Sequence, residues 1–318
     1  MSESEVIWVG IDVSKRQLDV FLRPVGQVYQ EPNTAFGVSR IVEELATLKP
    51  ALVVLEATGG MEIAAVAGLS GAGMPVAVVN PRHVRSFARA IGRNAKTDKI
   101  DAAVLAHFAE AVKPQVRPLP DAAARELSEL VARRRQVVEM LVAEKAHLAA
   151  VRGPTRSGIV SHLAWLEESL ADLDAQLRAC IEGSPVWCAR RELLESAPGV
   201  GPVLSLTLIA HLPELGTLTG KQIASLVGVA PLNCDSGTMR AKRTVWGGRA
   251  QVRAVLYMAT VAALRCNPTI LAFYDRLRKK GKPGKVAVTA CMRKFLVMLN
   301  AIAKTQQPWR VEGDSVPA

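Results

Sequence analysis

Four carboxylates near the start of the chain and one serine near its end stand where side chains do chemistry. Asp12 follows the apolar residues of GIDVSK, and Glu56 ends the apolar run ALVVLE just before Ala57-Thr58-Gly59-Gly60. Asp98 and Asp101 lie three residues apart in KTDKIDAAVLAHF. A carboxylate in a buried strand is unfavourable unless it is paired or binds a cation. Two acids at i, i+3 near a helix start project from one helix face. Acids from neighbouring strands and a late helix can converge on one point, where divalent cations relieve their repulsion. Hard oxygen donors select Mg²⁺ or Mn²⁺. A pair of such ions is the usual means of activating a nucleophile and stabilising the leaving oxygen in phosphodiester cleavage.

Each acid also has a plainer explanation. Asp98 and Asp101 would complement a helix dipole in its first turn. Glu56 would be a solvent-facing carboxylate at a strand end, and Asp12 a turn residue just past a strand. The serine is Ser236, followed by Gly237 in a polar loop, with Arg240, Lys242, Arg243, Arg249 and Arg253 close in sequence. Guanidinium groups gathered around a serine can stabilise a pentacovalent phosphate and ease loss of the hydroxyl proton. Taken alone, a Ser-Gly pair is an ordinary turn. Upstream, LLESAPGVGPVLSLTLIAHL has the form of a helix-hairpin-helix, with Pro198-Gly199-Val200-Gly201 as its tight turn. Backbone N–H groups at Gly199, Gly201 and the following helix start can hold a nucleic-acid phosphate without reading sequence. A Gly-rich turn between packed helices would look the same.

The elements that must position these residues fall into three compositional blocks. In residues 1–118, Ile7, Val9, Ile11 and Val13 alternate, so IWVGIDV reads as a strand. Asp19 to Leu22 and Gln27 to Gln30 read as short strands, Val38 to Leu48 as a helix, and Ala51 to Leu55 and Pro75 to Val79 as buried strands. Ser86 to Ile91 and Asp98 to Val112 have helical spacing. Three strands followed by alternating helix and strand indicate an α/β domain with a mixed sheet. Residues 119–184 form a helical connector. Leu163, Leu166, Leu170, Leu173 and Leu177 make a heptad seam, with Leu127, Leu130, Val137, Leu141 and Leu148 a looser one upstream. An antiparallel hairpin, an intermolecular coiled coil and a plain amphipathic pair all fit. Residues 185–310 are rich in helical patterns, and 311–318 read as a disordered tail.

Charge separates the blocks. The chain has 318 residues, Lys+Arg 40 against Asp+Glu 29, and a formal net charge of +11. Sixteen of the basic residues and one acid, Asp275, fall between Ser236 and Arg310. A polyanion-binding surface is therefore expected there. The start, MSESEVIWVG, has no signal-peptide pattern. The longest uncharged run, Ile63 to Pro81, is broken by Gly68, Gly71, Gly73 and Pro75, which argues against a membrane span. None of the five cysteines forms a C-x-x-C pair or has a His at zinc spacing. A cytoplasmic location is expected, in the nucleoid for a DNA-acting protein.

GID at a first strand, EATG at a fourth and KTDKIDA on a later helix resemble the Asp-Glu-Asp-Asp transposases. The match continues through VNPRHVRSFARAIGRNAKTDKIDA, with Gly60 standing where many members have a bulkier residue. The segment APLNCDSGTMRAKRTVWGG and the basic helix after it resemble the same family's C-terminal transposase domain. The resemblance runs over roughly residues 5–305. The nearest description is a bridge-RNA-guided serine recombinase of an insertion sequence, related to the pilin-gene invertases.

That resemblance implies a RuvC-like, ribonuclease-H-like N-terminal domain and a mainly α C-terminal transposase domain. It makes Asp12, Glu56, Asp98 and Asp101 the metal-binding catalytic acids and Ser236 the nucleophile, joined to DNA as a phosphoserine. It implies donor and target DNA and an element-encoded non-coding RNA as partners. It also implies a dimer assembling to a tetramer, with the helical block as the dimerising element and each active site shared between subunits. The composition is consistent with guidance by RNA pairing. Phe 6, Tyr 3 and Trp 5 leave few platforms for stacking bases. No G-x-x-x-x-G-K-[ST] motif is present, and transesterification through serine needs no nucleotide cofactor. Two other readings use the same residues: a RuvC-like nuclease or junction resolvase working with metal and water, and a non-catalytic nucleic-acid-binding protein. A site-specific DNA invertase would share both motif sets.

Overall fold

The computed structural model describes residues 6–93, 98–116, 121–232 and 243–310; the side chains of Asp98 and Lys99 lie outside the described set. The chain divides into two compact units, Met1–Leu119 and Pro120–Ala318.

The first unit is built on a five-stranded mixed sheet. Its strands are β1 (Trp8–Val13), β2 (Gln17–Arg23), β3 (Gln27–Pro32), β4 (Leu52–Glu56) and β5 (Val76–Val79), in the order β3-β2-β1-β4-β5. β1, β2 and β3 pair antiparallel, while β4 pairs parallel to both β1 and β5. Among the described residues four helices complete the unit: α1 (Ala35–Leu48), α2 (Ile63–Gly71), α3 (Pro81–Ala90) and α4 (Asp98–Val112). Side chains alternate strictly between the two faces of the sheet. Val9, Ile11, Val13, Val53 and Leu55 pack with Val38, Ile41 and Leu45 of α1 and Val66 and Leu69 of α2. On the other face, Leu52, Val54, Ala77 and Val79 pack with Val84 and Ala88 of α3 and Val104, Leu105 and Phe108 of α4. The result is a three-layer sandwich, a mixed α/β domain as the pattern of strands and helices implied. α3 starts at Pro81, five residues earlier than the apolar spacing indicated. Asn80 caps it, its side chain accepting from the Arg82 N–H at 2.9 Å, and proline favours a first helical position.

The second unit is helical. α5 (Ala122–Ala150) and α6 (Arg156–Glu182) form an antiparallel hairpin. Val137, Leu141, Leu163 and Leu166 make its small core, joined by Leu148, Leu170 and Leu173. Arg134–Asp174 (2.5 Å) and Lys145–Glu167 (3.0 Å) bridge its two arms. The heptad leucines thus pack within the chain between the two arms of the hairpin. Among the described residues six helices follow: α7 (Pro185–Glu195), α8 (Pro202–His211), α9 (Gly220–Val227), α10 (Ala250–Cys266), α11 (Pro268–Lys279) and α12 (Gly284–Thr305). Their core also takes in Leu127, Leu177 and Ile181 from the hairpin, which therefore belongs to this unit. α12 is long and apolar enough to cross a membrane, yet more than half of its apolar stretch is buried, with Phe295, Leu296 and Leu299 at its centre.

Candidate active site

Asp12 lies within β1, so the strand, not a turn beyond it, fixes its direction. The parallel pairing of β1 with β4 sets Ile11 beside Leu55, and each acid is the next residue on its strand. Trp8, Gly10 and Asp12 share one face of β1; Leu52, Val54 and Glu56 share that face of β4. Since Leu52 and Val54 pack under α3 and α4, Asp12 and Glu56 sit side by side on the helix-covered face, both partly exposed. The Asp12 carboxylate accepts from the Val13 N–H at 3.1 Å.

α4 carries the other acids over this face. Lys113, just past its end, lies over the Trp8 ring, and Glu110 pairs with Arg23, which is opposite Trp8 in the sheet. Two residues along β1, Gly10 lies against Ala102, Leu105 and Ala106. A β-carbon there would collide with the Ala102 carbonyl oxygen and come within 2.8 Å of the Leu105 side chain. A further two residues reach Asp12. At about 3.3 Å per strand residue and 1.5 Å per helix residue, the first turn of α4 lies above it. Asp98 opens that turn, and partly buried Asp101 stands on the stripe of Leu105 and Phe108 that faces the sheet.

Side chains that sequence reading passed over hold the loops around these acids. Asn33 donates to the Ser14 carbonyl at 2.9 Å and to the Met61 carbonyl at 3.2 Å, tying the loop after Asp12 to the loop after Glu56. Glu62 folds the second loop over itself, accepting from the Thr58 N–H (3.1 Å), the Thr58 hydroxyl (2.8 Å) and the Gly60 N–H (2.9 Å). Burial pushes the Glu62 carboxyl up, and hydrogen bonds from its own backbone N–H, Thr58 and Gly60 more than offset it, leaving it below its ordinary value. Gly59 (φ +78°) and Gly60 (φ +115°) take left-handed backbone that favours glycine, which explains the small residue at position 60. Asp19 on β2 is 1% exposed and stands directly opposite Asp12. Its only sequence signal was an acid at a strand position otherwise flanked by apolar residues.

The donor set is of the right type for a hard divalent cation: carboxylate oxygens on one face, partly open to solvent. Among the described residues no three His, Cys, Asp or Glu side chains stand close enough together to hold a metal, and the Asp98 carboxylate is not among those described.

In the second unit, Ser236, Arg240 and Lys242 lie outside the described residues. The chain before and after them meets at Leu232, whose N–H donates to the Thr244 carbonyl at 2.9 Å. Arg243 is exposed. Arg249 is engaged: it forms a two-pronged ion pair with Glu214 (both 2.6 Å) and donates to the His211 carbonyl at 2.8 Å. Arg253 donates to the Val227 carbonyl (3.2 Å) and the Gly247 carbonyl, holding the Gly247-Gly248 turn against Gly228. Gly199 (φ +96°) lies against α10, where a β-carbon would come within 2.5 Å of the Ala263 side chain, so close packing already requires it. Gly201 is exposed at the N-cap of α8 with open space beside it.

Residues 9–151 match a family model described as a transposase, of the DEDD type named for IS110. Residues 191–275 match one described as the transposase of the IS116/IS110/IS902 family. Both segments are thus similar to transposase domains of the IS110/IS116 type. The IS110-type match takes in Asp12, Glu56, Asp98 and Asp101, and the second takes in Ser236. The chain is 28% identical over 239 residues to the pilin gene-inverting protein of Moraxella bovis, covering 74% of each, and likewise to that of Moraxella lacunata. It is also 28% identical over 149 residues to the 43.6 kDa protein of insertion element IS110 from Streptomyces coelicolor, covering 46% of this chain and 36% of that one. The match of residues 9–151 to a DEDD-type transposase model suggests dependence on a divalent metal, in keeping with the oxygen donors of the first unit.

Proposed function

We propose that this IS110/IS116-type transposase cuts and rejoins DNA with Ser236 as nucleophile and Asp12, Glu56, Asp98 and Asp101 as holders of Mg²⁺ or Mn²⁺. The observation that carries the reading is the adjacency of Asp12 and Glu56 on one sheet face beneath the first turn of α4. Bound there, a divalent cation supplies charge stabilisation for the phosphorane-like transition state and lowers the barrier to leaving-oxygen departure. The Ser236 hydroxyl gives up its proton and its oxygen attacks phosphorus. One sugar oxygen departs and takes up a proton, leaving a phosphoserine. A hydroxyl from a second strand then attacks that phosphorus and releases the serine. Each step exchanges one phosphoester for another, so no nucleotide is consumed.

Exposed Arg243, with Arg240 and Lys242, is proposed to face the scissile region, and Gly201 at the uncapped start of α8 to meet a DNA phosphate. Arg249 and Arg253 hold their own loop in place, which limits them to a supporting part. Guidance by an element-encoded RNA and assembly as a dimer pairing into a tetramer belong to the same proposal. A second reading, inversion of a DNA segment within one molecule, is favoured by one observation. The pilin gene-inverting relatives match over 74% of both chains, a far greater span than the IS110 protein.

The test is a cleavage assay with Mg²⁺, DNA spanning the gene's flanks and RNA transcribed from them. A protein–DNA adduct that survives denaturation and disappears in Ser236→Ala is the expected result. Free cut ends without an adduct, unchanged in Ser236→Ala, would establish a metal-and-water nuclease instead.

A further inference from the structure

Among the described residues Asp19 is the one acid the core buries outright, at 1% exposure. Its two oxygens accept from the Gln17 amide, both at 3.1 Å, and one also accepts from the Gln30 amide at 2.5 Å. These amides fix the carboxylate but are neutral. Antiparallel register sets Asp19 directly opposite Asp12, and Gln30 opposite Asp19. Directly opposed residues share a face, with β-carbons roughly 4.5–5.5 Å apart. Asp19 therefore lies on the α4 side, in one row with Asp12 and Glu56 across β2, β1 and β4. Like charges directly opposite in a sheet are destabilising, and burying one raises the cost. A residue that only filled the core would be apolar, as Leu18, Val20 and Leu22 are on the other face.

We propose that Asp19 is a positioning residue: a buried, amide-locked negative charge that acts through Asp12 to raise the affinity of the acid row for a divalent cation. This rests on the reading of Asp12 and Glu56 as metal ligands. Asp19 itself, held by Gln17 and Gln30, stays out of the first coordination sphere.

The experiment measures Mn²⁺ binding to the full-length protein by the electron paramagnetic resonance of free Mn²⁺, with circular dichroism to establish folding. Asp19→Asn keeps the shape and removes the charge. Its Mn²⁺ dissociation constant is expected to rise roughly tenfold, the lower end of outer-shell effects on metal sites. The maximal cleavage rate should return at saturating Mn²⁺. Asp19→Asn combined with Gln30→Glu puts the charge back one strand further away and should recover part of the affinity. A folded Asp19→Asn protein with unchanged Mn²⁺ affinity overturns the proposal. So does failure of that variant to fold, or a folded charge-swap pair no better than the single variant. Asp12→Asn is the separate control: if it leaves Mn²⁺ binding intact, the metal reading itself fails, whatever Asp19 does.

Discussion

The backbone of Ala102 rests directly on Gly10, with no room between them for a methyl group. This contact sets the height of α4 above the sheet and so the distance from its first turn to Asp12. Gly10→Ala must push α4 away from β1. Overpacking of this kind destabilises by about 1–3 kcal/mol. The expected outcome is a lower melting temperature and a larger loss of DNA cleavage than the stability change explains, measured by thermal denaturation alongside the cleavage assay.

Asp12→Asn and Glu56→Gln change charge with little change of shape. If the pair holds a cation that contributes several kcal/mol to the transition state, each variant should cleave roughly a thousandfold more slowly. Both should melt close to the wild type. Single-turnover rates at fixed Mg²⁺ check this, and near wild-type rates would remove the acids from the chemistry.

Asn33 joins the loop after Asp12 to the loop after Glu56 through two carbonyls. Asn33→Ala removes both hydrogen bonds, with an expected loss of about 1–3 kcal/mol of stability. Because the loops carry the ends of the acid-bearing strands, the Mg²⁺ concentration for half-maximal cleavage should also rise. A titration of rate against Mg²⁺ reads that shift.

Arg249 and Arg243 should separate cleanly. Arg249→Ala leaves Glu214, 17% exposed, without its guanidinium, and the protein should lose about 1.5–3 kcal/mol in denaturant melts. Arg243→Ala should leave stability unchanged and weaken DNA binding. The slope of log affinity against log salt should fall by about 1, measured by fluorescence anisotropy across a salt series.

Burial, with Arg249 and Arg135 nearby, holds the His211 imidazole below its ordinary value of 6.5. The unfolded chain therefore takes up a proton near pH 6.5 while the folded unit does so only at lower pH. The stability tied to neutral His211 is complete above that pH and falls as the pH drops below it. Melting temperature should decline between pH 7.5 and 5.5, and His211→Asn should flatten that decline.

Much of the first unit was legible because β1, β4 and β5 are short apolar runs set between polar segments. Strand parity and the order of elements follow from such runs. Asp12 and Glu56 drew notice for the same reason, as charges interrupting hydrophobic stretches. Asp19 interrupts an apolar stretch too, but what distinguishes it is the residue across the strand pair, a property of register and not of spacing. Asn33 escaped for a related reason: its two partners, Ser14 and Met61, lie in loops far apart in sequence. Arg249 and Arg253 read as free cations because nothing near them in sequence announces Glu214 or the Val227 carbonyl. The hairpin seam left three packings open, since a heptad pattern is the same whether its partner is on this chain or another.

The parallel pairing of β1 with β4 makes the acid pair a matter of odd and even. Inserting or deleting one residue within β4 would turn Glu56 into the layer occupied by Ile41 and Leu69, and bring an apolar neighbour round to Asp12. Length changes outside the two strands and the loops that Asn33 and Glu62 hold leave this parity untouched. The two strands can change length only in steps of two, so lineages of this protein should diverge in their loops while these short stretches keep their count.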